Sequence, residues 1–287
     1  MPGGLTRTAI AAQPAWLRSL GVERRLPAAA RVLFTGCGTS YHAAAAIGPA
    51  AQALEVVASP PADADVLVAI SHEGETPVTL EAVRAFPGET WTITGAPDAT
   101  IARACDVVVV ATPEIERSYC HTASYTCAVA AGRALRGEDV SGLADAVKAA
   151  LADPLPASEH ERWLVAGAGP DRPTALEAVL KLREGAWVAA EAHQTEQLLH
   201  GHLAAVDETV RCFVLEGTGR VAERARAAVA ALEALGCETT LVPTSHPVVD
   251  VVRFQVLAVE LAEARGIDPD LIRWDQPRWQ AARDAYS

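Results

Sequence analysis

The feature that most constrains the fold of this chain is a short apolar run that ends in a Gly-x-Gly turn, because the pattern occurs once in each half of the sequence. Residues 32–38 read Val-Leu-Phe-Thr-Gly-Cys-Gly, and residues 164–169 read Leu-Val-Ala-Gly-Ala-Gly. A stretch of helical composition follows each turn. A strand that enters a helix through glycine is typical of parallel α/β sheets, so the sequence predicts two related α/β units.

Further apolar, β-branched runs alternate with helical stretches, such as residues 221–235, along both halves. This alternation predicts parallel sheets that are flanked by helices. The expected strands lie at residues 32–34, 66–70, 91–93 and 107–110 in the first half, and at residues 163–165, 212–215 and 239–242 in the second half.

The boundary between the two units is predicted from proline. The segment Asp153-Pro154-Leu155-Pro156 has two prolines and no helical continuation, which is typical of a linker. We therefore expect an N-terminal helical segment at residues 1–26, units at residues 27–152 and 157–265, and a C-terminal tail at residues 266–287.

Charge and composition argue against several classes of function. The chain has 24 basic and 36 acidic residues, a formal net charge of −12 that repels a phosphate backbone, so no nucleic-acid partner is expected. No apolar stretch has the length of a membrane span, and the N-terminus does not read as a signal peptide. Six dispersed cysteines fit reduced thiols. We expect a cytoplasmic protein without a membrane partner.

Two loops of the first half are candidates for holding an anion. The first loop, residues 36–40, and the second loop, residues 71–76, each place glycine and hydroxyl side chains between a strand and a helix. A helix N-terminus offers unpaired N–H groups to an anion. Neither loop matches a dinucleotide fingerprint or a P-loop, and each alone is also explained by tight packing.

A stronger signal lies in residues 175–192, which have helical composition. Glu177, Lys181 and Glu184 are spaced by four and three residues, so they share one stripe of the predicted helix. A solvated row of ion pairs is the alternative explanation. The turn that follows contains Glu196, His200 and His202. We expect no metal there, because no further carboxylate or cysteine cluster is near, and a histidine at this place serves equally well as a proton shuttle.

Four segments together resemble the sugar isomerase (SIS) domain family, in the arrangement of the isomerase half of glucosamine-6-phosphate synthases. Gly-Cys-Gly-Thr-Ser-Tyr at residues 36–41 and Ser-His-Glu-Gly-Glu-Thr at residues 71–76 are similar to the sugar-phosphate loops of the family. Residues 175–184 resemble its Ala-Leu-Glu-Gly-x-Leu-Lys-Leu-Lys-Glu helix, and residues 196–201 resemble Glu-Leu-Lys-His-Gly. The resemblance covers nearly the whole chain and implies two tandem flavodoxin-like domains.

The resemblance also implies the roles of individual residues. Glu184 is expected to move a proton between C1 and C2 of the sugar, and His200, which reaches in from the partner subunit of a homodimer, to open the ring. Glu177 and Lys181 are expected to line the same pocket, and the tail to close over the sugar. No cofactor is implied. The expected phosphate-binding residues are Cys37, Gly38, Thr39, Ser40, Ser71, His72, Glu73, Thr76, His121 and Thr122.

Departures from the family pattern narrow the expected chemistry. The chain lacks the glutaminase domain, so glutamine-dependent amidotransfer is not expected. Arg283 occupies the stretch in which the family has its Schiff-base lysine, and Ala123 stands in place of a second lysine. Arginine does not form an imine at neutral pH.

Glu73 is the most consequential departure, because it replaces a serine of the second loop with a carboxylate. We favour a phosphorylated ligand, since Thr39, Ser40, Ser71 and Thr76 keep their hydroxyls, and leave an unphosphorylated ligand as the alternative. The expected function is an aldose–ketose isomerase or deaminating isomerase for a ketohexose phosphate or amino-sugar phosphate. The alternative is a non-catalytic sugar-phosphate binder or sensor.

Overall fold

The computed structural model describes residues 3–286. Its first sheet has five parallel strands in the order β2-β1-β3-β4-β5, which is the flavodoxin-like order. These strands are β1 (Val32–Gly36), β2 (Ala50–Gln52), β3 (Val66–Ile70), β4 (Glu89–Thr94) and β5 (Val107–Val110). The helices of this half are α1 (Gly4–Ser19), α2 (Thr39–Ile47), α3 (Ala53–Ala58), α4 (Pro77–Ala85), α5 (Thr100–Ala104), α6 (Ala123–Leu135) and α7 (Leu143–Ala150).

The second sheet repeats this order with four parallel strands, β7-β6-β8-β9. Its strands are β6 (Arg162–Ala166), β7 (Ala189–His193), β8 (Val210–Leu215) and β9 (Thr239–Val242). The helices of the second half are α8 (Arg172–Ala186), α9 (Thr195–Leu199), α10 (Arg220–Ala234), α11 (Pro247–Ala264) and α12 (Pro277–Asp284), with 3₁₀ turns at Gly169–Asp171 and His202–Ala205. The predicted α/β architecture of two helix-flanked parallel sheets is confirmed.

One predicted element is wrong at its C-terminal end. The sequence predicts a helix through residue 192, but α8 ends at Ala186, and Trp187 takes a left-handed conformation with φ 55°. The chain then turns into β7, which pairs with β6 along its whole length. The alanine-rich sequence of β7 carries no strand signal of its own, so the free edge of β6 determines its structure.

Packing ties the two halves together through α11. Val248, Val251 and Val252 of this helix belong to the apolar core that contains Phe34 and Trp91 of the first sheet. The tail is fastened to α1, where the Asp270 carboxylate accepts hydrogen bonds from the N–H groups at its first turn. Within residues 3–286, no helix combines the length and the apolar character needed to cross a membrane.

Candidate functional site

A pocket of about 430 Å³ lies at the carboxyl ends of β1 and β3. The strand order reverses between these two neighbours, and ligands of open α/β sheets bind at such a switch point. The first and second loops form one side of the pocket, Glu184 of α8 another, and the tail residues Ile272, Trp274 and Tyr286 its outer end. Sequence motifs separated by more than 100 residues thus converge on one cavity.

The first loop is shaped by its two glycines. A Cβ on Gly36 would lie 2.8 Å from the backbone carbon of Ser40, so the helix can follow the strand this closely only without a side chain there. Gly38 has φ +55°, a conformation that favours glycine. Cys37, Gly38, Thr39 and Ser40 all line the pocket, as predicted.

The second loop also lines the pocket, through Ser71, His72, Glu73 and Thr76. Ser71 is buried, and its hydroxyl lies 3.4 Å from that of Thr76. Glu73 is exposed and contributes a carboxylate to the lining. The loop therefore presents hydroxyl groups and a negative charge to the same cavity.

His72 is held in one protonation state. Its Nε2 accepts a hydrogen bond of 2.8 Å from the backbone N–H of Glu116, so this nitrogen carries no proton. Burial, together with the neighbouring His121, lowers the pKa of His72 to about 4. His72 is therefore neutral at physiological pH. The His121 ring packs edge-on against it at 5.5 Å and lines the pocket.

Thr122 is placed differently from the other predicted phosphate-binding residues. It is 1% exposed, and its hydroxyl donates a hydrogen bond of 2.7 Å to the Glu116 carboxylate. The same carboxylate accepts from the backbone N–H groups of Thr122 and Ser124 and so caps α6. Thr122 is not part of the pocket lining. Its position fits a structural role at the start of the helix.

Glu177, Lys181 and Glu184 lie together, as their spacing predicts. Lys181 Nζ is 2.6 Å from Glu184 Oε2 and 3.4 Å from Glu177 Oε1. The side chains of Glu177 and Lys181 are completely buried, which excludes the alternative of a solvated row of ion pairs. Thr39 joins the cluster, since its hydroxyl donates to Glu177 at 3.2 Å and accepts from Lys181 at 3.1 Å.

His42 completes this network, and the sequence analysis did not identify it. Its Nδ1 lies 2.7 Å from Glu177 Oε2. The available signal was its position on the same predicted helix face as Thr39, three residues away. Tyr119, Ser124, Tyr125 and Trp274 also line the pocket without having been singled out.

Electrostatics keep Lys181 charged. Burial alone lowers the pKa of a lysine, but Glu184 and Glu177 outweigh it and raise the pKa of Lys181 above its usual range. The nearby Cys120 is inert, because burial raises the pKa of its thiol to about 12. Of the three charged residues of the cluster, Glu184 is the one that lines the pocket, with 23% of its side chain exposed. The arrangement presents one carboxylate to the pocket, held in place by a buried ammonium group.

His200 lies outside the pocket of its own chain. Its side chain is 71% exposed, and its Nε2 is 2.9 Å from Glu196 Oε1. Arg224 also pairs with Glu196 and lowers the pKa of that carboxylate. His202 packs against His193 with ring centres 4.5 Å apart. Among residues 3–286, no group of three or more His, Cys, Asp or Glu side chains has the geometry of a metal site.

The tail lies at the outer end of the pocket and is held by aromatic contacts. The Trp274 ring packs on Tyr119 at 4.1 Å, and the Arg283 guanidinium lies 3.8 Å from the centre of the same ring. Arg273 is stacked between Trp187 and Trp279 at 4.0 and 4.2 Å. Arg283 thus contacts an aromatic ring that lines the pocket.

Comparisons with known proteins identify relatives and neighbouring folds. No family model matches the chain. Glutamine–fructose-6-phosphate aminotransferase of Aeropyrum pernix is 30% identical over 90% of this chain and 52% of its own length. The chain is thus homologous to a part of this enzyme, and it spans about half the length of the curated relatives that it matches.

Solved structures with the same fold include two enzymes of sugar phosphates. Glucosamine-6-phosphate deaminase from Thermotoga maritima has a TM-score of 0.78 at 21% identity and covers 93% of this chain and 97% of its own. Tagatose-6-phosphate ketose/aldose isomerase from Escherichia coli has a TM-score of 0.80 at 19% identity and covers 95% and 97%. The α/β fold of this chain is therefore the fold of phosphosugar isomerase structures.

Proposed function

We propose that this chain is an SIS-family enzyme that moves a proton between neighbouring carbons of an open-chain sugar or amino sugar, as an aldose–ketose isomerase or a deaminating isomerase. The observation that carries the proposal is the Glu184 carboxylate, which Lys181 fixes at the wall of the pocket. In support, one relative is named as an isomerizing aminotransferase of fructose 6-phosphate, and two structures with the same fold are named as a deaminase and an isomerase of sugar phosphates.

The proposed reaction needs one base that takes and returns the same proton. Glu184 removes the proton from the hydroxyl-bearing carbon next to the carbonyl group, which leaves an enediolate, and then returns the proton to the former carbonyl carbon, while the hydroxyl proton passes to the former carbonyl oxygen. Lys181 holds the carboxylate in one orientation through its 2.6 Å contact. Glu177 and His42 lie behind Lys181 and fix the ammonium group in turn.

Ring opening needs a second acid–base group, and we assign it to His200 of a second copy of this chain. His200 is exposed, and in its own chain it lies away from the pocket lining. A homodimer in which each copy supplies His200 to the other would complete both sites. In this arrangement the isolated monomer has no ring-opening group.

The assignment of Glu184 is tested with Glu184→Gln. An enzyme loses kcat by about two to four orders of magnitude, while the dissociation constant of the sugar changes little. Glu81→Gln, on the exposed face of α4, is the matched control and retains wild-type kcat. Thermal unfolding of each variant verifies that the fold is intact. If the wild type binds sugar without turnover, the chain is a binding protein, and the proposed activity is wrong.

The shared site is tested by mixing two inactive variants. Glu184→Gln and His200→Ala each abolish the activity of their own homodimer, but a mixed dimer contains one site with both wild-type residues. Activity that returns on mixing supports the assignment, and sedimentation verifies that the dimer forms. Mixing without any recovery, or a fully active monomer, contradicts it.

A further inference from the structure

The charge of the pocket lining is negative. Glu73 and Glu184 contribute two carboxylates, and among the residues that the structure describes no lysine or arginine belongs to the lining. The Glu73 carboxylate has no hydrogen-bond or ion-pair partner within residues 3–286. A ligand that enters this cavity therefore meets an uncompensated negative charge at the second loop.

The cationic side chains near the lining already contact other groups of the chain. Lys181 is one positive charge for two carboxylates, Glu177 and Glu184, and is completely buried between them. Arg283 is stacked on the ring of Trp274. His72 is neutral, since its Nε2 accepts the N–H of Glu116. None of these groups offsets the charge of Glu73.

The hydroxyl groups of the two loops are also partly committed. Thr39 donates its only hydroxyl proton to Glu177, so it has none to offer to a phosphate oxygen. The Ser71 and Thr76 hydroxyls face each other at 3.4 Å. A phosphate dianion at the second loop would stand a few ångströms from Glu73, and like charges in a partly buried cavity repel strongly.

We propose that the second loop binds a hydroxyl or ammonium group of a free sugar or free amino sugar, rather than a phosphate ester. A carboxylate accepts hydrogen bonds from both groups, and an ammonium group adds a charge-assisted bond. The inference rests on the proposed function, since it specifies the substrate class of the same pocket. It makes Glu73 the residue that selects against phosphate.

The test measures dissociation constants of glucosamine and fructose, and of their 6-phosphates, for the wild type, Glu73→Gln and Glu73→Ser. The wild type is expected to bind each free sugar more tightly than its ester. Glu73→Gln should lower the ratio of ester to free-sugar dissociation constants at least about tenfold, because the repulsion is removed. Glu73→Ser should do the same, and the effect should shrink in 0.5 M salt, where ions screen the charge, at a Debye length of roughly 4 Å.

Inorganic phosphate separates this inference from the proposed activity. Phosphate should stabilise Glu73→Gln against thermal unfolding and leave the wild type unchanged. Glu75→Gln is the control, because Glu75 lies in the same loop but bonds the backbone of Thr100 outside the pocket. Equal responses of wild type and Glu73→Gln, or tighter binding of the esters by the wild type, overturn the inference. If Glu73→Gln gains phosphate affinity while no sugar is turned over, the inference stands and the proposed activity fails.

Discussion

The two halves of the molecule share the backbone geometry of the Gly-x-Gly turn but place different side chains in it. Gly38 and Gly169 have φ of +55° and +57°, and a Cβ on Gly36 or Gly167 would approach the backbone four residues later to 2.8 Å. Each Gly-x-Gly turn leads from the first strand of its sheet towards a helix. At the fifth position of the turn, however, the first half has Ser40 and the second half has Asp171.

In the second half, carboxylates of the chain itself fill the corresponding edge of the sheet. Asp171 accepts from the hydroxyl of Thr244 at 3.1 Å, and a Cβ on Gly217 would lie 3.1 Å from its carboxylate. Asp250 accepts from the backbone and hydroxyl of Ser245. In the first half, the corresponding edge opens into the pocket. The backbone turn is therefore common to both sheets, and the side chain within it decides whether a ligand can enter.

The largest expected effect concerns the buried charges that bridge the halves. Lys181→Met leaves Glu177 and Glu184 without their cation, and removal of one partner from a buried ion cluster typically costs about 3–5 kcal/mol. We expect a loss of this size in the free energy of unfolding, measured with urea. Lys148 is the only other lysine of the chain, and it is exposed on α7.

Lys148→Met is therefore the matched control, and it should change the free energy of unfolding by less than about 0.5 kcal/mol. A double variant, Glu177→Gln with Lys181→Met, should regain part of the lost stability, because one uncompensated charge is removed with the cation. Equal stability of Lys181→Met and wild type would show that the ion cluster between the two halves adds nothing to the free energy of unfolding.

Sequence reasoning succeeded where a local pattern determines the structure. The Gly-x-Gly turns and the β-branched runs predict every strand of the two sheets except β2 and β7, since strand termination and turn geometry depend on a few neighbouring residues. The stripe of Glu177, Lys181 and Glu184 also follows from helical spacing alone. Its burial does not, because α2 supplies the covering residues Thr39 and His42 from more than 100 residues away.

The errors and omissions have the same tertiary origin. Strand β7 was predicted as helix, since Ala189–His193 acquires its structure from pairing with β6. Thr122 donates its hydroxyl proton to Glu116, a choice of partner that no spacing rule predicts. Trp274 lines the pocket in a tail that Asp270 fastens to α1 and that Tyr119 contacts through its ring. Residues placed by long-range contacts remain beyond the reach of a single sequence.

The role of the Gly-x-Gly turn in folding can be separated from its role in ligand binding by the same substitution in each half. Gly38→Ala and Gly169→Ala both place a methyl group in open space at positive φ, so each should lose about 1–2 kcal/mol of stability. Only Gly38 lines the pocket. Sugar binding, measured by calorimetry, should weaken at least tenfold in Gly38→Ala, by about 1.4 kcal/mol, and stay unchanged in Gly169→Ala. A similar loss of affinity in both variants would mean that the second half also contributes to the site.

The smallest expected effect is a pH dependence of the free energy of unfolding, which arises from the buried carboxylate of Asp250 in the second half. Burial, with Asp171 nearby, raises the pKa of Asp250 to about 6. The folded chain then holds this proton to a higher pH than the unfolded chain, so the contribution to stability is lost as the pH rises from about 4 to about 6. Asp250→Asn keeps an acceptor for Ser245 without the charge. Its unfolding free energy should exceed that of the wild type by about 1–2 kcal/mol at pH 7, and by little at pH 3, below the pKa of the unfolded chain.

Urea unfolding across this pH range measures the difference, and Asp63→Asn, in an exposed loop of the first half, serves as the control with a pH-independent effect. A constant difference between Asp250→Asn and wild type would show that Asp250 is ionised throughout. The edge of the second half would then tolerate a permanent anion at its helix N-termini. In that case Asp171→Ser with Asp250→Asn would remove both anions of the chain from this edge and should open it to inorganic phosphate.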